Sequence, residues 1–271
     1  MSEIFHNIGI LAHVDSGKTT LTEQLLFLTG AIRNAGSVDS GTTATDSLTI
    51  EKQRGISVRT ATATTKWQGA TINIIDTPGH IDFAGEVERA LSALDYAVVI
   101  VSAVEGVRAH TENILKSLDA ANLPRLIFIN KVDRVGADVS KVIEELKSIS
   151  SQTHIVLSDI ENEGSENCSV LELDEKIFCE RATETLADIS DEVAEIFLYD
   201  KVLTKEKADE FIRKEISDCR LTPVVFGSAK YAVGVKELAD VLVRYMPDSA
   251  RRKTEDLCGI IFKIEHDKSL G

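Results

Sequence analysis

Apolar residues are arranged along the chain in two rhythms. Short continuous apolar runs alternate with longer stretches in which apolar positions return every three or four residues. The first kind predicts strands buried on both faces, the second amphipathic helices. Ile4 to Leu11 predicts a buried strand. Gly17 to Thr29 predicts a helix with Leu21, Leu25 and Leu28 on one face and Gly30 as its stop. Loose alternation from Ser57 to Gln68 suits an edge strand. Buried strands are expected at Ala70 to Asp76, Tyr96 to Ser102, Arg125 to Asn130 and Thr222 to Phe226. Helices are expected at Phe83 to Leu94, His110 to Ala121, Val139 to Ile149 and Val235 to Tyr245, the last ended by Pro247. Strand alternating with helix implies an α/β fold, a mostly parallel central sheet flanked by helices. Right-handed crossovers then bring the loops after the strands to one edge of the sheet, where such folds bind ligands.

The rhythm fails in three places. Ala31 to Gly55 is a long loop of Gly, Ser, Thr and charged residues, and a loop of that length in a compact domain is usually functional or mobile. Between Ile149 and Leu221 lie short strand-like pieces (Ile155 to Leu157, Val170 to Leu173) and two helical runs, about Ala182 to Leu198 and Thr204 to Ser217. This stretch, 151–220, reads as an acidic α+β subdomain inserted into a sheet domain made of 1–150 and 221–246. Pro247 to Asp256 reads as a polar linker, and Leu257 to Glu265 as a strand without a partner. Residues 247–271 are therefore expected to be a linker and the first strand of a truncated second domain.

Composition refines this picture without changing it. At 271 residues and 43% hydrophobic content the chain can build a sizeable core. The formal charge of −14 is uneven: 151–220 carries 19 acidic and 8 basic residues, a net of −11, which leaves −3 for the rest. That acidity cannot exclude contact with RNA elsewhere on the surface. Cys168, Cys179, Cys219 and Cys258 are scattered without a Cys-x-x-Cys pair, as expected of reduced thiols. The first residues lack the build of a signal peptide, and no apolar run approaches the roughly 20 residues of a membrane span. The expectation is a soluble, cytoplasmic chain with no membrane partner.

Five short stretches carry chemistry, each beyond a strand or a loop at the expected ligand edge. Ala12-His13-Val14-Asp15-Ser16-Gly17-Lys18-Thr19, followed by Thr20, lies between the first strand and the first helix. This is the context of a phosphate-binding P-loop, with Ala12 where the usual pattern has Gly. Its backbone N–H groups can wrap a β-phosphate at the helix N-terminus, Lys18 can reach the β and γ oxygens, and the Thr19 hydroxyl can ligate Mg²⁺. Arg54-Gly55-Ile56-Ser57 closes the unpatterned loop, where the Ser57 hydroxyl could close over Mg²⁺ and the γ-phosphate. In Asp76-Thr77-Pro78-Gly79-His80, Asp76 can hold Mg²⁺ through a water, the Gly79 N–H can approach the γ-phosphate, and His80 can orient the attacking water. Asn130-Lys131-Val132-Asp133 names the base. The Asp133 carboxylate accepts from guanine N1–H and its exocyclic amine, a donor pair adenine lacks. Lys131 can cover the ring face and Asn130 can tie this loop to the P-loop. In Gly227-Ser228-Ala229-Lys230, backbone N–H groups can meet guanine O6. Together these predict a P-loop NTPase of the G domain type that takes GTP/GDP and Mg²⁺. An ATP-using enzyme is opposed by Asp133, and a non-hydrolytic GTP-dependent binding module is opposed by His80.

These residues resemble the translational GTPases, in which the P-loop commonly opens with Ala and a His follows the Gly of the third motif. Asp76 through Phe83, Glu86-Val87-Glu88-Arg89 and Asn130 through Asp138 are similar to the elongation factor G branch. Gly36 through Thr43 and Leu257 through Glu265 look like the ribosomal-protection proteins that dislodge tetracycline, elongation factor G itself being the alternative. Ser57 departs from the family's usual Thr but keeps the hydroxyl. The resemblance implies a ribosome-stimulated GTPase in which water attacks the γ-phosphate in line. Lys18 and His80 are then the catalytic residues, the ribosome is the partner of the full-length protein, and the fragment is a monomer. Asp15 has two readings: a ligand for a monovalent cation, as its family position hints, and a hydrogen-bonded loop carboxylate.

Overall fold

In a computed structural model of the chain, residues 4–36, 61–76 and 90–247 are described. Nine strands and seven α-helices fall within them. β1 (Ile4–Ala12), β2 (Ala61–Trp67), β3 (Ala70–Asp76), β4 (Tyr96–Ser102), β5 (Arg125–Asn130), β6 (Thr153–Val156) and β9 (Leu221–Phe226) form one sheet. β7 (Ser158–Glu161) and β8 (Ser169–Glu172) form a separate antiparallel hairpin. The helices are α1 (Lys18–Leu28), α2 (Ala109–Ala120), α3 (Val139–Ile149), α4 (Glu175–Ala187), α5 (Asp191–Leu198), α6 (Lys205–Ser217) and α7 (Val235–Tyr245).

The large sheet has the order β2-β3-β1-β4-β5-β9-β6. All neighbours are parallel except β2, which pairs antiparallel with β3 and makes one edge. Alternate strand residues feed two cores. Ile8, Ile10, Ile72, Val98, Ile100, Leu126 and Phe128 meet Leu21 and Leu25 of α1 and Leu238 and Leu242 of α7. Leu11, Ile75, Val99, Val101, Ile127 and Ile129 meet Ile114, Leu115 and Leu118 of α2 and Val142 and Leu146 of α3. Both faces are thus buried at the central strands, which is why β3, β4 and β5 read as apolar runs while the edge strand β2 does not.

The segment 151–220 does not stand apart from the sheet. β6 pairs parallel with β9 from Thr153↔Leu221 to Val156↔Val224 and becomes the far edge strand. Four residues are too short to announce a sheet strand by pattern, and the partner lies nearly seventy positions away. The run expected as one helix from Ala182 to Leu198 is two. α4 starts early, at Glu175, where the Asp174 carboxylate accepts a hydrogen bond from the Ile177 N–H. The chain then breaks at Ser190, whose backbone is extended before α5. Leu186, Ile189 and Val193 keep helical spacing through the break, and this hides it from a periodicity argument. Helices α4, α5 and α6 contribute Ala182, Leu186, Val193, Ala208, Ile212 and Ile216 to the same core as α1 and α7. The loop 31–55 beyond Gly36, the N-terminal part of the helix expected over 83–94, and the linker and strand expected after Pro247 lie outside the described residues.

Candidate nucleotide-binding site

The P-loop leaves β1 at Ala12 and enters α1 at Lys18. Asp15 (φ 62°) and Gly17 (φ 92°) both lie in the left-handed region, a backbone that turns successive N–H groups to one side. Gly17 is required twice over. A Cβ there would be strained at that φ and would lie 2.3 Å from Asn130 Nδ2. α1 begins with no side-chain cap and no acidic residue in its first turn. Every other described α-helix has one or the other. The first turn of α1 thus carries neither a side-chain cap nor a carboxylate of its own, a chemistry suited to phosphate.

Ser16, Lys18 and Thr19 are buried, His13, Val14 and Thr20 half-buried, and Asp15 exposed. Lys18 Nζ donates to Asp76 Oδ1 at 2.5 Å, and both side chains are buried, at 8% and 2% exposure. β3 carries Asp76 at its end, beside β1 and in register with Ile10. The sheet therefore brings the P-loop lysine and the third motif's carboxylate together. Thr19 and Asp76 offer the hydroxyl and carboxylate oxygens that fit Mg²⁺. This hard cation needs few protein ligands when phosphates and waters supply the others. Among the described residues no group of three or more His, Cys, Asp or Glu side chains gathers as a metal cluster. Ser57, Gly79 and His80 lie outside the described residues.

Asn130, at the end of β5, ties three loops together. Its Nδ2 donates to the Ser16 carbonyl at 2.8 Å, and its Oδ1 accepts from the Ala229 N–H at 2.9 Å. The P-loop, the Asn130–Asp133 loop and the Ser228–Lys230 loop form one hydrogen-bonded unit. Lys131 has φ 65°, and its ammonium meets Glu105 at 3.0 Å, which fixes the stem that could cover a base. Asp133 is 7% exposed and lines a recess shared with Lys230, Gly164 and Glu166. Ser228 and Ala229 are buried and Lys230 is exposed. Ser228 exchanges two backbone hydrogen bonds with Val233, each 3.0 Å, closing a tight loop ahead of α7. Gly227 permits this closure, because a Cβ there would lie 2.3 Å from the Val233 carbonyl oxygen.

Sequence reasoning missed several residues at this edge. Glu105, which anchors Lys131, follows β4 as the one charged residue of the short loop Ala103-Val104-Glu105-Gly106-Val107, which carries no motif. Glu23, 1% exposed on α1, accepts from the Gly36 N–H at 2.9 Å and holds the start of the next loop. Its apolar-face spacing looked like any other position of the helix. Glu163, Gly164 and Glu166 reach the site from the acidic segment with no motif to mark them.

The sequence model of the Elongation factor Tu GTP binding domain matches residues 3–248. The chain belongs to this family. Among its relatives, Tetracycline resistance protein TetP of Clostridium perfringens is 40% identical over 260 residues, covering 96% of this chain and 40% of that protein. Tetracycline resistance protein TetM of Ureaplasma urealyticum is 39% identical over 262 residues, covering 97% of this chain and 40% of that protein. A crystal structure of a Thermus thermophilus protein superposes with a TM-score of 0.80 at 28% identity, covering 92% of this chain and 41% of that one. The chain thus spans about 40% of the length of the curated relatives it matches. It is a G domain of the translational GTPase type, a family that uses GTP, GDP and Mg²⁺, and GTP hydrolysis is its expected activity. Among the described residues of this G domain, no helix is long and apolar enough to cross a membrane.

Proposed function

We propose that this G domain binds and hydrolyses GTP to drive a ribosomal-protection protein that relieves tetracycline inhibition, acting in the cytoplasm with the ribosome as partner. The relatives TetP and TetM carry tetracycline resistance in their names, and nearly all of this chain aligns with them. The observation that supports the guanine assignment best is the Asn130 bridge, which joins the P-loop to both base-contacting loops. A phosphate on the P-loop and a base opposite Asp133 then belong to one binding event.

In this reading the residues 12–20 cradle the β- and γ-phosphates, and Lys18 compensates their charge. Thr19, Ser57 and Asp76 are the Mg²⁺ donors, and the ion would supply charge neutralisation across the phosphates. Asp133 accepts from guanine, Lys131 covers its face, and the loop 228–230 donates to O6. His80 orients the water that attacks the γ-phosphorus in line with the departing GDP oxygen. The water's oxygen forms the new bond as the phosphoanhydride bond breaks and its electron pair leaves on the GDP oxygen; one water proton stays on the new phosphate hydroxyl and the other passes to a phosphate oxygen. Little covalent chemistry falls to the protein, so catalysis is positioning and charge. The isolated chain turns over slowly and is a monomer. Segment 151–220, apart from β6, is an insertion into the G domain.

The test uses the full-length protein with ribosomes. His80→Ala is expected to leave GTP affinity within a few-fold and to abolish the ribosome-stimulated hydrolysis. In a sensitive cell, expression of the unsubstituted protein is expected to raise tolerance to tetracycline. Undiminished stimulated turnover in the variant removes His80 from catalysis, and unchanged drug sensitivity removes the protection role.

A further inference from the structure

The turn between β7 and β8 lies in the acidic segment, outside every nucleotide-binding motif. It nonetheless touches both loops assigned to the base. The Gly164 N–H donates to the Val132 carbonyl at 2.8 Å, and Val132 sits between Lys131 and Asp133. Glu163 Oε1 accepts at 2.6 Å from the Val139 N–H, the first residue of α3. The hairpin thus holds the stretch that runs from Asp133 into α3 at both ends. A carboxylate at that position also satisfies an open helix N–H and favours the helix dipole. On the other loop, the Tyr231 hydroxyl donates to Glu166 Oε1 at 2.5 Å. Tyr231 in turn accepts from Lys230 Nζ at 2.8 Å, with the ammonium 4.5 Å from the ring centroid.

Apolar packing backs these bonds. Cys168, 5% exposed at the end of the turn, is in one core cluster with Val132 and Val139, and Ile160 and Val170 of the hairpin pack against it. The turn is braced internally as well: Ser165 N–H donates to the Asn162 carbonyl and Cys168 N–H to the Ser165 carbonyl. Gly164, Ser165 and Glu166 of the turn line the same recess as Asp133 and Lys230.

We infer that the 162–168 turn is a clamp across the two base-contacting loops, with Glu163, Glu166 and Tyr231 as positioning residues that set how long a guanine nucleotide stays bound. The inference rests on the guanine reading above. Release of the base requires the Asp133 loop and the Lys230 loop to part, and the clamp opposes that motion while leaving the donors and acceptors that read the base untouched. It therefore acts on dissociation rather than on base choice.

The experiment is displacement of fluorescently labelled GDP by excess GDP in stopped flow, on the purified protein with Mg²⁺. Variants are Glu163→Ala, Glu163→Gln, Tyr231→Phe and the double Glu163→Ala/Tyr231→Phe. The double variant is expected to release GDP about tenfold faster, the change that roughly 1.4 kcal/mol of lost hydrogen bonding produces. Glu163→Gln keeps an oxygen that accepts from the Val139 N–H, so its release rate is expected within about twofold of the parent. The preference for GDP over ADP is expected to be unchanged in all. A fold-stabilising role alone would lower the melting temperature of Glu163→Ala without moving the release rate. Tyr231 is exposed, so Tyr231→Phe reports on the clamp even where Glu163→Ala folds poorly. Parent-like release in the folded Tyr231→Phe and double variants overturns the clamp and leaves the guanine reading standing. A parent protein that does not bind labelled GDP overturns the guanine reading and the clamp with it.

Discussion

Gly17 and His154 show how single residues constrain the molecule in opposite ways. At Gly17 the constraint is geometric: any larger residue meets both a φ of 92° and the Asn130 amide 2.3 Å away. Gly17→Ala is expected to cost about 1–3 kcal/mol in urea unfolding and to weaken nucleotide binding at least tenfold in a fluorescence titration. At His154 the constraint is electrostatic. The ring is 6% exposed, neither nitrogen has a hydrogen-bond partner among the described residues, and burial, aided by Arg125 and Lys147, lowers its pKa to about 4. In the unfolded chain the same ring takes up a proton near pH 6.5. Between those values the unfolded state binds more protons, so stability falls as pH drops from about 6.5 to about 4 and levels off below. The loss attributable to this residue is roughly 3 kcal/mol. His154→Phe is expected to flatten that part of the curve when unfolding is measured at about pH 7, 5.5 and 4.5. At neutral pH both states are uncharged at this position, and the variant tests packing alone.

At the scale of elements, Asn130 makes separate loops into one site. Asn130→Ala removes the donor to Ser16 and the acceptor for Ala229, leaving two buried backbone groups to find other partners. The expected cost is about 1–3 kcal/mol of stability and at least a tenfold loss of GDP affinity, read by titration on variants that keep the parent circular dichroism. The tie to the P-loop was legible in the sequence because Asn130 ends an unmistakable apolar run and opens a contiguous motif; the bond to Ala229, 99 positions on, was not. For the same reason β3, β4, β5, α3 and α7 fall within the bounds that the pattern predicted. Each is a strong apolar run or a clear helical stripe. What escaped is what depends on a distant partner. The strand-like pieces at Ile155–Leu157 and Val170–Leu173 fall on β6 and β8, but nothing local tells that β6 joins β9 in the main sheet or that β8 pairs with β7, and Ser158–Glu161 does not look like a strand by itself. Side chains follow the same rule. Lys18 and Asp133 belong to local motifs, whereas Glu105, Glu163 and Tyr231 act across gaps that no local pattern encodes.

Across the whole molecule, seven strands and two cores place every described nucleotide-motif residue at one edge of one sheet. The acidic segment, net −11, is built into this body by β6, by the helices packed into the first core and by the hairpin on the second. Its hairpin reaches the base recess. The arrangement as a whole makes one central claim: the recess beside Asp133 is a guanine site joined to the P-loop. The most direct test is competition of GDP, ADP and xanthosine diphosphate against labelled GDP, on the parent protein and on Asp133→Asn. The account predicts that GDP displaces the label from the parent while ADP does not, and that the variant loses its guanine preference and takes xanthosine diphosphate instead. Equal displacement by ADP, or an Asp133→Asn protein that still selects GDP undiminished, would contradict it.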